Sequence, residues 1–313
     1  MALVYPGPAM VVLAGTVGGL VDVGAGAVVD LAGYDVSAVN DGWALIDGRA
    51  VAGLAVAAAG AAAGAGPGAP APGWATPTCV AAAPDDPSGA ALVGTAGAHL
   101  LRAAAAWERV EAFERADGRP GWYTPWGGPP DVRSISTAPD GTVLVNVHVG
   151  GILRSADGGD SWAPTIDIHA DVHQVVALDG GRAVAACAEG LATSDDGGAT
   201  WSLHDRGLHA TYARSVAVAG KTVLIGVSTG PDGRQAAVYR RPLSGGAALE
   251  RCGNGLPEDL GGNVDTFRLA GAPDGTAAFA TVDGRVFVSA DEGATWEQAG
   301  ERLPAVRCLV VAP

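Results

Sequence analysis

Short runs of alternating or fully apolar residues, each ending in a glycine or aspartate turn, recur along the chain. Examples are residues 143–147 before Gly150, residues 184–188 before Gly190 and residues 278–282 before Asp283. Apolar residues at every second position are typical of half-buried β-strands, and short apolar runs suit fully buried strands. The pattern therefore predicts an all-β chain of many short strands.

A second pattern marks the first strand of each repeated unit. It opens on a polar residue, and a second polar residue often follows two positions later, as in Asp171-Val-His173. The register occurs at residues 35–39, 131–135, 171–175, 212–216 and 265–269, and its later positions are matched at residues 78–80 and 307–309. Such self-similarity indicates repeated structural units, here seven of them.

Three eight-residue stretches share the pattern Ser-x-Asp-x-Gly-x-Ser/Thr-Trp, at residues 155–162, 194–201 and 289–296. In such a stretch the aspartate accepts hydrogen bonds from its own turn, the glycine takes a positive φ, and the tryptophan buries its ring beneath the loop. The residues expected to be structural are Asp157, Trp162, Asp196, Trp201, Asp291 and Trp296. The first two stretches begin 39 residues apart and the last two begin 95 residues apart. The longer interval leaves room for one repeated unit that has lost this stretch.

These stretches resemble the Asp box, or BNR repeat, of sialidase-like β-propellers, and the chain from about residue 8 onward resembles the WD40/YVTN/BNR-like group. The resemblance implies that each box joins the third and fourth strands of a four-stranded antiparallel blade, at the outer rim, without a catalytic role. At about 45 residues per blade, a chain of this length holds about seven. We expect a seven-bladed β-propeller, closed by pairing of the C-terminal strand with N-terminal strands so that no open edge remains.

The expected propeller is one domain over residues 1–313. Its blades are predicted at about residues 34–74, 77–115, 132–170, 172–210, 212–256, 264–303, and 306–312 with 8–33. Residues 51–74 are rich in Ala, Gly and Pro, so that blade is expected to be thin.

Composition and charge restrict the expected binding partners and the expected cellular location. The net charge of −14 repels phosphate backbones and anionic lipids, which argues against a nucleic acid or a membrane as partner. The first basic residue is Arg49, so the N-terminus lacks the positive region of a secretory signal, and a cytoplasmic location is expected. Four widely spaced cysteines without a CxxC pair predict buried, reduced thiols.

Corresponding positions of separate blades meet at one mouth of a propeller, which collects polar residues from the whole sequence. Residues expected at the strand starts are Asp35, Asp131, Asp171, Tyr212 and Asp265, with Arg133, His173, Arg214 and Arg307 two positions further on. His148 ends a second strand and should reach the same mouth, while the long connection 113–131 could overhang it with Trp122, Tyr123 and Trp126. Neighbouring connections supply Asp167, His169, Glu189 and His209.

Each group at this mouth has two interpretations. His148, His173 and His209, with Asp131 or Asp171, could hold a divalent metal, or they could satisfy hydrogen bonds. The arginines could clamp an anionic ligand, or pair with the nearby aspartates and brace the blades. The aromatic connection could bind a sugar or a peptide, or plug the funnel with Trp122 and Trp126.

The leading functional hypothesis is a binding module whose funnel face takes a small polar or anionic ligand, or a protein. The alternative is a hydrolase or lyase, including a divergent sialidase-like glycoside hydrolase. It would use His148, His173 and His209 around a metal or as acid and base, with Asp131 and Tyr212 in support. Sialidases are six-bladed and use an arginine triad with an Arg-Ile-Pro-like motif near the start. Here the near match, Arg302-Leu303-Pro304, lies at the other end, so no catalytic residue carries over.

Overall fold

In the computed structural model the chain forms seven antiparallel sheets arranged in a ring. The structure describes residues 11–24, 27–30, 35–40, 43–47, 49–52, 71–84, 89–104 and 106–312. The predicted seven-bladed β-propeller is therefore confirmed. The part expected to be thin, residues 51–74, falls mostly on residues 53–70, which lie outside the described residues.

The first three blades contain the N-terminal strands and the last strand of the chain. Blade 1 consists of β27 (Val306–Ala312), β1 (Val11–Thr16), β2 (Gly19–Asp22) and β3 (Ala27–Asp30). The described strands of blade 2 are β4 (Val36–Asn40), β5 (Trp43–Ile46) and β6 (Arg49–Ala52). Blade 3 consists of β7 (Pro77–Ala82), β8 (Ala91–Thr95), β9 (Leu100–Ala103) and β10 (Trp107–Arg109).

The remaining four blades follow in chain order, from the centre outward. Blade 4 consists of β11 (Val132–Thr137), β12 (Val143–Val147), β13 (Gly151–Ser155) and β14 (Ala163–Pro164). Blade 5 consists of β15 (Val172–Ala177), β16 (Ala183–Cys187), β17 (Gly190–Ser194) and β18 (Ser202–His204). Blade 6 consists of β19 (Tyr212–Ala219), β20 (Thr222–Ser228), β21 (Ala237–Pro242) and β22 (Glu250–Arg251). Blade 7 consists of β23 (Leu269–Gly271), β24 (Ala277–Ala280), β25 (Val286–Ser289) and β26 (Glu297–Ala299).

The two ends of the chain close the ring within blade 1. Strand β27 pairs antiparallel with β1, from Val11 opposite Ala312 to Gly15 opposite Cys308. The predicted closure is confirmed. It gives the last strand a hydrogen-bonded neighbour and removes an edge that would otherwise be free to pair with another molecule.

Among the described residues, helical structure is confined to short connections. They are α1 (Glu111–Glu114) and the 3₁₀ turns Arg119–Gly121, Ile168–Ala170 and Asp179–Gly181. Within the described part of the chain, we find no helix with the length and hydrophobicity needed to cross a membrane.

The core lies between neighbouring blades and is packed mainly by Ala, Val and Leu, with aromatic rings at a few points. Between blades 3 and 4, the rings of Phe113 and Trp162 meet edge to face with their centroids 5.2 Å apart. All four cysteines are free and buried, as predicted. Burial raises the pKa of Cys79 to about 12, which keeps that thiol protonated.

One cysteine also shows why a glycine is needed in a central strand. Cys79 lies opposite Gly94 in the register of β7 and β8. A Cβ atom at Gly94 would lie 2.6 Å from the sulfur of Cys79 and 2.4 Å from Val132. Glycine thus lets the inner strands of blades 3 and 4 approach each other closely.

The three Asp boxes join the third and fourth strands of blades 4, 5 and 7, as the resemblance implied. In the second box, Asp196 accepts hydrogen bonds from the backbone N–H and the hydroxyl of Thr200, at 2.9 and 2.7 Å. Trp201 donates its indole N–H to the Gly198 carbonyl at 3.1 Å. The other two boxes repeat these contacts. The carboxylates of Asp157, Asp196 and Asp291 therefore make their hydrogen bonds within their own turns, as a structural role requires.

Blade 7 departs from the predicted register. Its inner strand begins at Leu269, whereas the pattern predicted a strand from residue 265. Residues 265–268 instead form a turn, in which Arg268 donates its backbone N–H to the Asp265 carbonyl and Phe267 has a φ of 66°. The turn bends across the axis of the ring.

Candidate functional site

The turn at residues 265–268 forms the floor of the funnel. The Thr266 hydroxyl contacts the backbone carbonyls of His173 in blade 5 and Arg214 in blade 6, at 3.1 and 3.2 Å. Phe267 packs against both the blade 3–4 core and the blade 1–2 core. The side of the axis where the inner strands start is called the funnel mouth from here on.

At the centre of the funnel mouth lie two buried histidines and one aspartate. His148 follows β12, Asp171 precedes β15, and His173 is the second residue of β15. The Nε2 atom of His148 lies 3.4 Å from Asp171 Oδ1, and the Nε2 atom of His173 lies 3.5 Å from Asp171 Oδ2. One ligand atom from each residue can be chosen so that all lie within 4.8 Å of one another. We call these three residues the His/Asp trio.

The trio contains polar atoms that the protein leaves without partners. Among the described residues, His148 Nδ1, Asp171 Oδ1 and His173 Nε2 are buried and accept or donate no hydrogen bond within the chain. Buried polar groups normally find partners, and leaving one unpaired costs about 1–3 kcal/mol. This concentration of unpaired atoms is the feature expected of a site built for something outside the chain.

The other ring nitrogen of His173, Nδ1, makes a hydrogen bond within the chain. Its Nδ1 atom lies 2.6 Å from the Ala213 carbonyl oxygen, which can only accept, so Nδ1 carries the proton. Burial lowers the pKa of His173, which favours the neutral ring. In that tautomer Nε2 presents its lone pair to the carboxylate of Asp171.

Two carboxylates at the mouth are held in their charged form. Burial raises the pKa of Asp171, but its interactions with His173, His148 and Arg133 outweigh that effect and leave the pKa below the usual value. Burial likewise raises the pKa of Asp131, and His148 and Arg133 outweigh it there. Asp131 lies 3.5 Å from both His148 Nδ1 and Arg133 Nε.

The arginines at the mouth pair with the aspartates at the strand starts. Arg214 lies 2.8 Å from Asp265, and Arg307 lies 3.7 Å from Asp35 in the next blade. Of the two interpretations from the sequence, the bracing of blades by Arg–Asp pairs is therefore the arrangement present. These pairs neutralise the charge that an anionic ligand would need.

The aromatic connection divides into a buried and an exposed part. Trp122 is buried and packs against Phe113 with ring centroids 5.8 Å apart, so it does not overhang the mouth. Trp126 does reach the mouth: it is 69% exposed, and its ring centroid lies 4.7 Å from that of His148. Tyr123 is 44% exposed. Of the two interpretations of the aromatic connection, a plug made by Trp122 and Trp126 is not the arrangement present, because Trp122 is buried and Trp126 is largely exposed.

Tyr212 completes the wall on the side of blade 6. Its ring lies edge to face with His173 at 4.9 Å between centroids, and the guanidinium of Arg214 lies 6.0 Å from the ring centre. Tyr212 thus lies at the funnel mouth, as its place in the repeat predicted.

His209 is not part of the trio, which corrects the expectation of three converging histidines. Its Nδ1 atom lies 2.8 Å from the Tyr239 hydroxyl, and the two rings are stacked. Asp167 and His169 also serve a local purpose, because the Asp167 carboxylate caps the 3₁₀ turn by accepting the backbone N–H of His169. Glu189 lines a separate concavity beside His204.

A cavity of about 440 Å³ lies on the other side of the Phe267 floor. It is lined by the far ends of the inner strands, including Val176, Val218 and Val311. Asp179 and Arg182 are the charged residues in its lining, whereas the funnel mouth gathers two histidines and several carboxylates and is the better candidate for specific recognition. Sequence reasoning missed Thr266 and Phe267, since nothing in the pattern signals a turn at that point.

Comparisons with known proteins agree with this architecture. The family described as BNR/Asp-box repeat matches residues 192–203, which contain the whole of the second box. No curated protein matches the sequence.

Among solved structures, the chain is similar to the extracellular domain of a protein assigned as a hybrid two-component system from B. thetaiotaomicron, with a TM-score of 0.53, 12% identity, and coverage of 84% of this chain and 33% of that one. It is also similar to an ancestral GH74 enzyme, with a TM-score of 0.51, 14% identity, and coverage of 72% and 33%. YCF48 bound to D1 peptide follows, with a TM-score of 0.49, 16% identity, and coverage of 72% and 67%.

This chain spans about a third of the length of the first two proteins. At such identities the likeness concerns the fold, and proteins of one fold carry many functions. Repeats, ring closure and comparisons agree on one description: the chain is a seven-bladed β-propeller with BNR/Asp-box repeats.

Proposed function

We propose that the chain is a binding module that takes a small polar ligand at the funnel mouth. The observation that carries the proposal is the position of Trp126, a largely exposed ring that lies against the buried ring of His148. An exposed tryptophan beside polar atoms without partners is an arrangement that suits a ligand with one apolar face and several hydrogen-bonding groups.

The charges at the mouth favour an uncharged ligand rich in hydroxyl or amide groups. Among the described residues, Arg133, Arg214 and Arg307 face aspartates at 3.5, 2.8 and 3.7 Å, which reduces their capacity to clamp an anion. Asp131 and Asp171 are ionised acceptors, which suit the hydroxyls of a sugar or the N–H groups of a peptide.

The test compares two exposed tryptophans. A library of sugars, amino acids and capped dipeptides is screened by saturation-transfer NMR against the wild type, Trp126→Ala and Trp74→Ala. Trp74 is 52% exposed but packs beside Arg109 and His99, away from the trio, so its substitution is the matched control. Hits lost in Trp126→Ala and kept in Trp74→Ala are the expected result. Hits unaffected by Trp126→Ala, or an absence of hits, would contradict the proposal.

The second candidate function is hydrolysis or elimination at the same place, including a sialidase-like glycoside hydrolase. The trio favours it, because two histidines and a carboxylate can move protons or hold a metal. Turnover of a panel of fluorogenic glycosides and esters, lost in Asp171→Asn and retained in His209→Gln, is the result expected for this function. Turnover unchanged by Asp171→Asn would exclude it.

We also propose that the chain works in a reducing compartment such as the cytoplasm. The support is that all four cysteines are free and buried. Fluorescence imaging of the tagged chain in its own cells tests this proposal.

A further inference from the structure

The geometry points to a divalent transition-metal site formed by His148 Nε2, the Asp171 carboxylate and His173 Nε2. The inference stands independently of the ligand at Trp126, because it rests on the trio alone. Two imidazole nitrogens and one carboxylate form a donor set that suits zinc, iron(II), cobalt or manganese.

The spacing of the trio is that of metal ligands. Two donors about 2.0–2.2 Å from a tetrahedral ion lie about 3.3–3.6 Å apart. The two nitrogen–oxygen distances in the trio are 3.4 and 3.5 Å, longer than good hydrogen bonds but equal to such an edge. Since the chosen ligand atoms lie within 4.8 Å of one another, the two rings need to approach by about 1 Å to share one ion.

The outer nitrogen of His173 is held as in known metal sites, and that of His148 faces a carboxylate at a longer distance. A metal-binding histidine commonly donates its other N–H to a carboxylate or a backbone carbonyl, which fixes the tautomer and the orientation of the ring. His173 Nδ1 contacts the Ala213 carbonyl at 2.6 Å, and His148 Nδ1 faces Asp131 at 3.5 Å. The Nε2 lone pair of His173 therefore points toward Asp171, and His148 Nε2 faces the same carboxylate.

Without a cation or a donor between them, these atoms oppose each other. The lone pair of His173 Nε2 faces a carboxylate in a buried setting, and both His173 Nε2 and Asp171 Oδ1 lack a partner in the chain. A water molecule could donate to both atoms, but it would leave the metal-like orientation of both rings without a reason. A divalent ion satisfies Asp171 and both lone pairs at once.

The charged side chains at the mouth also favour a bound cation. Asp131 and Asp171 bring two negative charges close to the trio, and Arg133 brings one positive charge paired with Asp131. Arg214 pairs with Asp265 at 2.8 Å, a carboxylate that Arg268 shares at 3.7 Å. Three protein ligands leave a coordination position that a water molecule or a ligand at the mouth can fill.

The experiment uses the tag-free full chain after chelation and dialysis. Zn²⁺ is titrated by calorimetry, and Co²⁺ is added separately to follow the visible band of a tetrahedral site. Variants are Asp171→Asn, which keeps the shape of the side chain, and His148→Gln, with His209→Gln as the control because it removes a histidine outside the trio.

We expect one ion per chain in the wild type and in His209→Gln, with a tetrahedral Co²⁺ spectrum. Asp171→Asn and His148→Gln should weaken binding by more than about 100-fold, and Asp131→Asn by about 10–100-fold, the range for an outer partner. Zinc should raise the melting temperature of the wild type but not that of Asp171→Asn.

Binding below one ion per chain, or binding retained in Asp171→Asn, would overturn the inference and leave a bridging water in the trio. Asp171→Asn could unfold, so circular dichroism of each variant is recorded first, and His148→Gln alone then decides. Fragment binding that depends on Trp126 in the metal-free protein would show that the ligand proposal holds even if the metal inference fails.

Discussion

The rim and the mouth of this propeller differ in whether their polar groups find hydrogen-bond partners within the chain. At the rim, each Asp box satisfies its own polar atoms: Asp196 accepts from Thr200 and Ser194, and Trp201 donates to Gly198. At the mouth, the His/Asp trio lacks partners for three buried atoms although the residues lie side by side.

This difference is the ground on which we propose the trio, and not the Asp boxes, as the functional site. A turn that satisfies itself has no capacity left for a ligand, so its motif reports on the fold. Unpaired buried atoms lower stability, and a protein keeps them where function requires them. The most recognisable motif in this sequence is therefore not the site.

The largest difference between rim and mouth is expected in the free energy of unfolding when one tryptophan is removed from each region. Trp296 is buried at the third box and meets Phe279 edge to face at 4.9 Å, so Trp296→Ala should cost about 3–5 kcal/mol in the free energy of unfolding. Trp126→Ala, at an exposed position, should change it by about 0.5 kcal/mol or less. Urea unfolding followed by circular dichroism measures both, and similar losses would mean that Trp126 is structural.

A smaller loss of folding stability is expected when a low pH protonates the Asp-box carboxylate at the rim. Hydrogen bonds from the Thr200 hydroxyl, the Thr200 backbone and Ser194 lower the pKa of Asp196 from 3.8 to about 2. The unfolded chain binds the proton first as the pH falls. The stabilisation by this carboxylate is therefore complete above pH 4 and is lost as the pH falls from about 4 to 2.

Urea unfolding at pH 5 and pH 3 tests the rim, with Asp196→Asn as the comparison. The wild type should lose more stability between the two pH values than the variant does, because the variant lacks this titrating group. An equal loss in both proteins would show that the box carboxylate is not held in its charged form.

The smallest effect, with the opposite sign, is expected at the mouth. In the metal-free protein, His148→Phe removes an unpaired buried nitrogen and keeps a ring against Trp126, so stability should be unchanged or should rise. The same urea measurement checks this. A loss of more than about 1 kcal/mol would indicate that His148 makes a stabilising hydrogen bond and that the mouth is not preorganised for a ligand.

The repeats were sufficient to predict the fold and the ring of polar residues. The Asp boxes fix a turn through local contacts, and a strand start that recurs in every blade must return to the same mouth, so Asp131, Asp171 and His173 could be placed together. The pairing of arginines with aspartates followed from the same register.

The parts that could not be predicted depend on contacts between distant segments. The turn at Phe267 has a positive φ that a phenylalanine rarely adopts, and its partners His173 and Arg214 lie in two other blades. Likewise, His209 lies beside Tyr239, a contact that no spacing in the sequence reveals.

The most direct test of the central claim is anomalous diffraction from crystals of the full chain grown with Zn²⁺, measured on both sides of the zinc absorption edge. The expected result is an anomalous peak about 2.0–2.2 Å from His148 Nε2, His173 Nε2 and an Asp171 oxygen. A water molecule at that position, with no anomalous signal, or zinc bound only at other histidines such as His209, would contradict it.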